Sequence, residues 1–284
     1  MKNQLFLMLA VMLLAISAPL SAETYYVTPK GAGTMDGSSW ENAMTEKELS
    51  KALNTAEGEA TVFMRGGWYG SLNVKNSGLE SLTIFGGMDG KETKMKNCRL
   101  KTDEECWTHL FNLTVSRTME LTKANSYKCN HPMEQLMKIS DMVCTHIFVS
   151  PEGTGKKDGS SERDALPQAG LSTALEKAKG DVYIFLCKGS YAPMEMRLNK
   201  ETTSAWVFGN FGGESIIESE GRDLTATVFT VQSDRQDKKV RVHLKNLTAY
   251  GNADFGNTEM RIDGIDFTRT GNTEQLMQGF GQGH

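Results

Sequence analysis

The sequence predicts an all-β fold made of two similar units, in which short strands stack as the coils of a solenoid. Three observations lead to this prediction. A segment near the start of the chain is repeated past its middle, short strand-like runs follow each copy, and 28 glycines supply many turns. Apolar residues make up 39% and charged residues 23% of the chain, which is typical of a folded protein rather than a disordered one.

Residues 1–22 are predicted to be a secretory signal peptide. Lys2 gives a positive start, residues 5–16 form an apolar run, and Leu20-Ser21-Ala22 offers small residues for cleavage after Ala22. The run is too short to span a membrane, and no later segment is long and apolar enough to do so. We therefore expect an exported protein of bacterial type, located in the periplasm, at the cell surface or in the medium.

Each unit begins with a strand and a turn-rich loop that recur together. The first loop contains Asp36-Gly37-Ser38-Ser39, and the second contains Asp158-Gly159-Ser160-Ser161 at the corresponding place. A long match without gaps indicates a duplication. We predict a first unit over residues 23–140 and a second unit over residues 141–284, the latter ending in a flexible tail.

The apolar spacing predicts an amphipathic helix in each unit. Leu49, Ala52, Leu53 and Ala56 lie on one helical face, and Gly58 ends the pattern. We expect the helix to lay this face over the open end of a stack of strands, whose unpaired edge needs covering. The same spacing recurs in the second unit at Leu171, Ala174, Leu175 and Ala178.

Short strand-like runs separated by turns follow each helix. In the second unit they include residues 182–186, 194–198 and 228–231. Gly251 and Gly271 end two runs of similar pattern that lie roughly 20 residues apart, a repeat length typical of solenoid coils.

Two motifs of the first unit match a known family. Residues 25–43 read Tyr-Tyr-Val-x-Pro-x-Gly and then Asp-Gly-Ser-Ser-Trp-x-x-Ala, and a later strand ends in Gly67-Trp68-Tyr69. Phe85-Gly86-Gly87-Met88-Asp89-Gly90 is similar to polymorphic outer-membrane-protein-like repeats, with Met88 in place of the usual aromatic residue. The chain thus resembles exported bacterial members of the pectate-lyase-like superfamily. The resemblance implies a right-handed parallel β-helix, but it leaves the activity open because the superfamily holds lyases, hydrolases, adhesins and tailspikes.

Export leads us to expect disulfide bridges among four of the five cysteines. Cys187 lies in an apolar run and is predicted to be a buried thiol. Cys106 with His109, and Cys129 with His131, are alternative Zn²⁺ ligands, but their spacing does not match a known zinc finger. The four cysteines expected to form bridges are Cys98, Cys106, Cys129 and Cys144.

Two kinds of acidic site are candidates for Ca²⁺. Asp36 and Asp158 precede glycines and have carbonyls nearby, although Asp-Gly before a helix is also common turn chemistry, which we favour. Arg261, Asp263 and Asp266 would suit a Ca²⁺-assisted lyase, in which a basic side chain removes the proton beside a uronate carboxylate. These three residues simply face water if the apolar residues between them point inward.

Trp68 is the aromatic residue that we predict to stack on a sugar ring. Tyr69 recurs as Tyr191, which favours a structural role for both tyrosines. Ser190 stands where the second unit would repeat Trp68, so the tryptophan is specific to the first unit.

These features favour an exported, non-catalytic protein that binds a glycan, adheres to a surface or serves a structural role at the cell surface. No cofactor motif is present in the sequence. The net charge of −4 gives no basic footprint for nucleic acid, so the expected partner is a polysaccharide or another cell-surface component. The alternative is a polysaccharide lyase or glycoside hydrolase acting on polyuronate or another polysaccharide, with Ca²⁺ as a cofactor in the case of a lyase.

Overall fold

A computed structural model describes residues 22–103, 105–122, 124–127, 139–141 and 143–263. These residues form mostly parallel β-sheets and two short α-helices, which confirms the predicted all-β class. Residues 1–21 of the predicted signal peptide and the predicted C-terminal tail lie outside the described ranges. Within those ranges, no helix has the length and apolar character needed to cross a membrane.

The first unit, residues 22–141, contains a six-stranded and a three-stranded sheet. Their strand orders are β1-β2-β4-β6-β8-β9 and β3-β5-β7, and every pairing is parallel. From β2 to β8 the chain alternates between the two sheets. The elements are β1 (Ala22–Val27), α1 (Glu46–Leu53), β2 (Gly58–Met64), β3 (Gly67–Asn76), β4 (Leu79–Phe85), β5 (Thr93–Thr102), β6 (Trp107–Phe111), β7 (Leu113–Leu121), β8 (Ala124–Tyr127) and β9 (Ile139–Asp141).

The second unit, residues 143–263, repeats this plan. One sheet has the order β11-β10-β12-β14-β16-β19, with β17 also paired to β14, and the other has the order β13-β15-β18. The elements are β10 (Cys144–Ser150), β11 (Leu166–Pro167), α2 (Leu171–Glu176), β12 (Gly180–Tyr191), β13 (Met194–Leu198), β14 (Thr202–Glu218), β15 (Thr227–Ser233), β16 (Arg241–Lys245), β17 (Thr248–Tyr250), β18 (Asn252–Asp254) and β19 (Glu259–Asp263).

Each unit encloses its own apolar core between its two sheets. Because side chains alternate along a strand, one set of apolar residues points inward on neighbouring strands in register. In the first unit such a row is formed by Val62, Ile84 and Leu110. The corresponding row in the second unit is formed by Ile184, Val207 and Leu244.

Helix α1 covers the edge of the three-stranded sheet at β3, as the sequence predicts. The β3 amides that would lack a strand partner are satisfied by side chains from the helix. The Lys75 amide donates to Asn54 Oδ1 at 2.7 Å, and the Gly70 amide donates to Glu46 Oε1 at 3.2 Å. Helix α2 packs beside β13 in the second unit.

The two units pack against each other through aromatic side chains on the outer faces of their larger sheets. The contacts are edge-to-face, with ring centroids 5.3 Å apart for Phe85–Phe185 and 5.5 Å apart for Phe63–Phe208. This layer positions the clefts described below. Its aromatic members are Tyr26, Trp40, Phe63, Phe85, Phe111, Phe148, Tyr183, Phe185, Phe208 and Phe211.

An ion pair also joins the two units. Arg65 Nη2 of the first unit is 3.8 Å from Glu162 Oε2 of the second. Burial raises the pKa of Glu162 even though Arg65 acts to lower it. We therefore regard this pair as a contact between the units rather than a major source of stability.

The expectation of disulfides is wrong for the cysteines that the structure describes. Cys98, Cys106 and Cys144 are buried and carry no disulfide. Cys98 lies in register between Leu72 and Met119, so strand alternation points it into the core. The prediction for Cys187 as a buried thiol is confirmed. Cys129 lies outside the described residues.

The paired tyrosines have the structural role that their recurrence predicts. The Tyr69 hydroxyl donates to the Arg65 carbonyl at 2.7 Å, and the Tyr191 hydroxyl donates to the Cys187 carbonyl at 2.6 Å. Each ring is buried in the core of its unit, and its hydroxyl bonds the backbone four residues earlier.

Candidate functional site

Three clefts open along the seam between the two units. The largest, about 810 Å³, includes His146, Cys144 and Asp158 in its lining, and a second of about 610 Å³ lies beside Trp40. The third, about 470 Å³, combines aromatic, basic and acidic side chains, and we call it the central cleft. It is lined by Glu59, Ser81, Thr83, Trp107, His109, Asp181, Tyr183, Thr203, Ser204, Trp206, Lys238, Lys239, Arg241 and His243.

The duplication brings equivalent acidic residues of the two units into the central cleft. Glu59 is the second residue of β2, and Asp181 is the second residue of β12. On the next strand of each sheet, Ser81 lies opposite Glu59 and Ser204 lies opposite Asp181. The cleft therefore contains the same carboxylate-and-serine arrangement twice, once from each unit.

Two histidines of the cleft are also equivalent. His109 begins the sequence His-Leu-Phe-Asn-Leu-Thr, and His243 begins His-Leu-Lys-Asn-Leu-Thr. The asparagines of both segments, Asn112 and Asn246, have left-handed backbones with φ of 54° and 53°. Neither histidine was predicted as part of a cleft, and this repeated six-residue pattern is the signal that could have identified them as a pair.

The two walls differ at one equivalent position. Trp107 lies opposite Ser81 on β6, whereas Arg241 lies opposite Ser204 on β16. The Trp107 side chain is 44% exposed and faces the cleft. On the other wall, Trp206 stacks on His243 with ring centroids 3.7 Å apart and planes 5° apart.

A buried ion pair adjoins the central cleft. Lys245 Nζ is 3.2 Å from Glu59 Oε2 and 5.3 Å from the centre of the Trp206 ring. The lysine side chain is only 6% exposed, so its charge depends on Glu59 and on the ring face for compensation.

Asp181 and His109 have contrasting electrostatic environments. Asp181 Oδ1 accepts hydrogen bonds from Thr203 Oγ1 at 2.5 Å and Ser204 Oγ at 2.8 Å. Burial lowers the pKa of His109, and the negative charge of Asp181 offsets part of that effect. Burial also raises the pKa of Tyr183. The cleft thus holds a neutral imidazole near a carboxylate at neutral pH.

The predicted glycan-binding residue Trp68 lies elsewhere. It is on β3, is 66% exposed, and has Lys94 Nζ 5.5 Å from its ring centre. It lines none of the three clefts described above. Its proposed contact with sugar therefore remains a prediction about a separate surface.

Asp36 and Asp158 both stabilise turns. Asp36 Oδ1 accepts from the Ser38 amide at 2.9 Å, and Asp158 Oδ1 accepts from the Ser160 amide at 3.0 Å. Hydrogen bonds from these serines lower the pKa of each aspartate. Within the described part of the chain, no group of three or more His, Cys, Asp and Glu side chains is arranged to hold a metal ion.

The predicted acidic cluster near the end of the chain is only partly described. Arg261 pairs in register with His243, and Asp263 pairs with Lys245, on neighbouring strands β19 and β16. Asp266 lies outside the described residues, so the cluster as a whole remains a prediction.

Of the proposed zinc ligands, the described pair Cys106 and His109 is not brought together as a site. His109 lines the central cleft, whereas Cys106 belongs to the apolar core of the first unit, where burial raises the pKa of its thiol. Cys129 and His131 lie outside the described residues.

Together these observations define a mostly parallel, all-β protein of two packed units with a polar and aromatic cleft at their junction. No protein-family model, curated protein or solved structure matches the chain.

Proposed function

We propose that the chain is an exported protein of two right-handed parallel β-helical units that binds a polysaccharide in the central cleft without cleaving it. The observation that carries this proposal is the exposed ring of Trp107 among hydrogen-bonding side chains in one cleft, with the Trp206 ring stacked on His243 in the opposite wall. Sugar rings present apolar faces and many hydroxyls, and binding sites commonly combine aromatic side chains with a few well-placed polar groups.

The β-helical part of the proposal is supported by the winding of the chain. Successive strands alternate between two parallel sheets, and an amphipathic helix takes the place of a strand where each unit begins. Parallel crossover connections are right-handed in nearly all proteins, which favours the right-handed form. Export rests on the predicted signal peptide.

A glycan panel tests the binding function with the mature chain. We expect one or more oligosaccharides to bind, and Trp107→Ala to weaken that binding about tenfold, equivalent to about 1.4 kcal/mol. Trp68→Ala is the matched control, because Trp68 is also exposed but lies on β3. Loss of binding in Trp68→Ala alone would move the site to β3. A protein that binds no glycan in the panel would refute the proposal.

A polysaccharide lyase or glycoside hydrolase is the second candidate, favoured by one observation. The neutral imidazole of His109 lines the central cleft, and a neutral imidazole can act as the base that removes a proton from a substrate. Incubation with polyuronate, with and without Ca²⁺, would reveal a lyase by the absorbance of its unsaturated product. Turnover that is lost in His109→Gln but kept in Trp68→Ala would favour this candidate over simple binding.

A further inference from the structure

We propose that the ligand of the central cleft is an acidic glycan whose carboxylate or sulfate groups contact Lys238, Lys239 and Arg241 directly. This inference rests on the proposed glycan-binding function and specifies the chemistry of the ligand. In this arrangement Trp107 contacts the ring face of a sugar. The three cations, which we call the basic wall, contact its anionic substituents.

The three cations are available to a ligand. All three side chains belong to exposed residues and line the cleft. No ion pair joins any of them to a described residue, although Glu259 lies opposite Arg241 on β19. The nearest acidic residue in sequence, Asp237, forms its ion pair with Arg235 at an Nε–Oδ1 distance of 2.7 Å, and the charge of Lys238 makes a smaller contribution to lowering the pKa of Asp237.

The carboxylates of the cleft are already engaged by other groups. Glu59 is paired with Lys245, and Asp181 accepts two hydroxyl hydrogen bonds. The lining contains three cations and two carboxylates, and Lys245 balances the charge of Glu59. The cleft is therefore locally positive on a chain whose formal net charge is −4, which favours an anionic ligand at this place.

At equivalent positions the first unit has a tryptophan and the second unit has an arginine. This difference favours a ligand with two kinds of surface. Trp107 offers an apolar face on the first unit, and Arg241 offers a planar guanidinium on the second. Guanidinium groups bind carboxylates and sulfates through paired hydrogen bonds. An acidic sugar, with an apolar ring face and an anionic substituent at its edge, meets both requirements.

The test compares matched charge variants of the mature chain. Lys238→Gln/Lys239→Gln/Arg241→Gln removes the basic wall, and Lys47→Gln/Lys75→Gln/Lys96→Gln removes the same charge from exposed positions elsewhere. The probes are oligogalacturonate, dextran sulfate, uncharged dextran and a single-stranded oligonucleotide. Circular dichroism and thermal melting establish that both variants are folded.

We expect an acidic probe to bind and the cleft variant to lose about tenfold or more in affinity, while the control variant changes little. Binding should weaken as salt rises from about 0.05 to 0.5 M, because screening shortens the reach of these charges. Preference for oligogalacturonate or for dextran sulfate then identifies carboxylate or sulfate as the anionic group.

Four results would overturn the inference in distinguishable ways. Equal binding of uncharged dextran that still depends on Trp107 would leave the proposed glycan-binding function intact and remove only the requirement for an acidic ligand. Binding of no carbohydrate probe would remove both proposals. Equal binding of the oligonucleotide would replace the glycan by a general polyanion. Loss of binding in the presence of a chelator would replace direct contact by a metal bridge.

Discussion

Glu59 Oε2 lies 3.2 Å from Lys245 Nζ and so joins strand β2 of the first unit to strand β16 of the second. The lysine is almost fully buried, and the Trp206 ring lies beside its ammonium group. The pair lies where the aromatic interface meets the central cleft. It links the packing of the units to the shape of the cleft.

Removing one charge of this pair should destabilise the protein. Glu59→Gln leaves the buried Lys245 ammonium without its anionic partner, which costs about 3 kcal/mol in comparable buried pairs. Unfolding in guanidinium chloride measures the change in the free energy of unfolding. The double variant Glu59→Gln/Lys245→Met should recover much of the loss because no buried charge remains. Losses that simply add in the double variant would show that the two residues do not interact.

The two equivalent tyrosines should respond alike to loss of their hydroxyls. Tyr69→Phe and Tyr191→Phe each remove one hydrogen-bond donor from buried carbonyls, and we expect each to lose about 1 kcal/mol of stability. Tyr25→Phe is the control, because its hydroxyl bonds the partly exposed Glu23 and should contribute less. Thermal or chemical unfolding of the three variants makes the comparison. A structural role for the recurring tyrosine would be contradicted by a loss in Tyr25→Phe as large as in the other two.

His109 should make stability depend on pH. Burial lowers its pKa in the folded protein below the ordinary value of about 6.5, so the unfolded chain takes up the proton first. The stability that neutral His109 contributes above this value is lost as pH falls through the folded pKa. Melting temperatures at about pH 7.5 and 5.5 should therefore fall more steeply for the unmodified protein than for His109→Gln. Identical slopes would show that the imidazole titrates as it does in water.

The thiols offer a test of the cysteine assignments. The four described cysteines are buried without disulfides, and burial raises the pKa of Cys187 to about 12. A thiol reagent should react slowly with the folded protein, since buried thiols are poorly ionised and inaccessible. In denaturant without reductant, at least four thiols should titrate. A count of three or fewer would restore the disulfides expected from export.

The sequence predicts the start of each unit well because local rules determine it. The spacing of Leu49 and Leu53 defines a helical face, and both side chains are fully buried in the structure. The recurrence of Tyr69 as Tyr191 likewise predicts a structural role without any tertiary information. Such features depend on residues close together in the chain.

The junction between the units could not be predicted in the same way. The apolar run around Tyr183 and Phe185 indicates a strand buried on both faces, but nothing local shows that its outer face meets Phe85. The central cleft depends on that pairing. The cysteine prediction failed because it relied on the oxidising environment expected for an exported protein. Strand alternation along β5 points Cys98 into the core instead.

The location of the bound glycan is tested most directly by the indole N–H resonances of the four tryptophans during titration with an acidic oligosaccharide. Single Trp→Phe variants assign the signals of Trp40, Trp68, Trp107 and Trp206. If the ligand occupies the central cleft, the Trp107 and Trp206 resonances shift with ligand concentration while those of Trp40 and Trp68 stay in place. Shifts confined to Trp68, or a bound ligand that moves none of the four, would contradict a binding site between the two units.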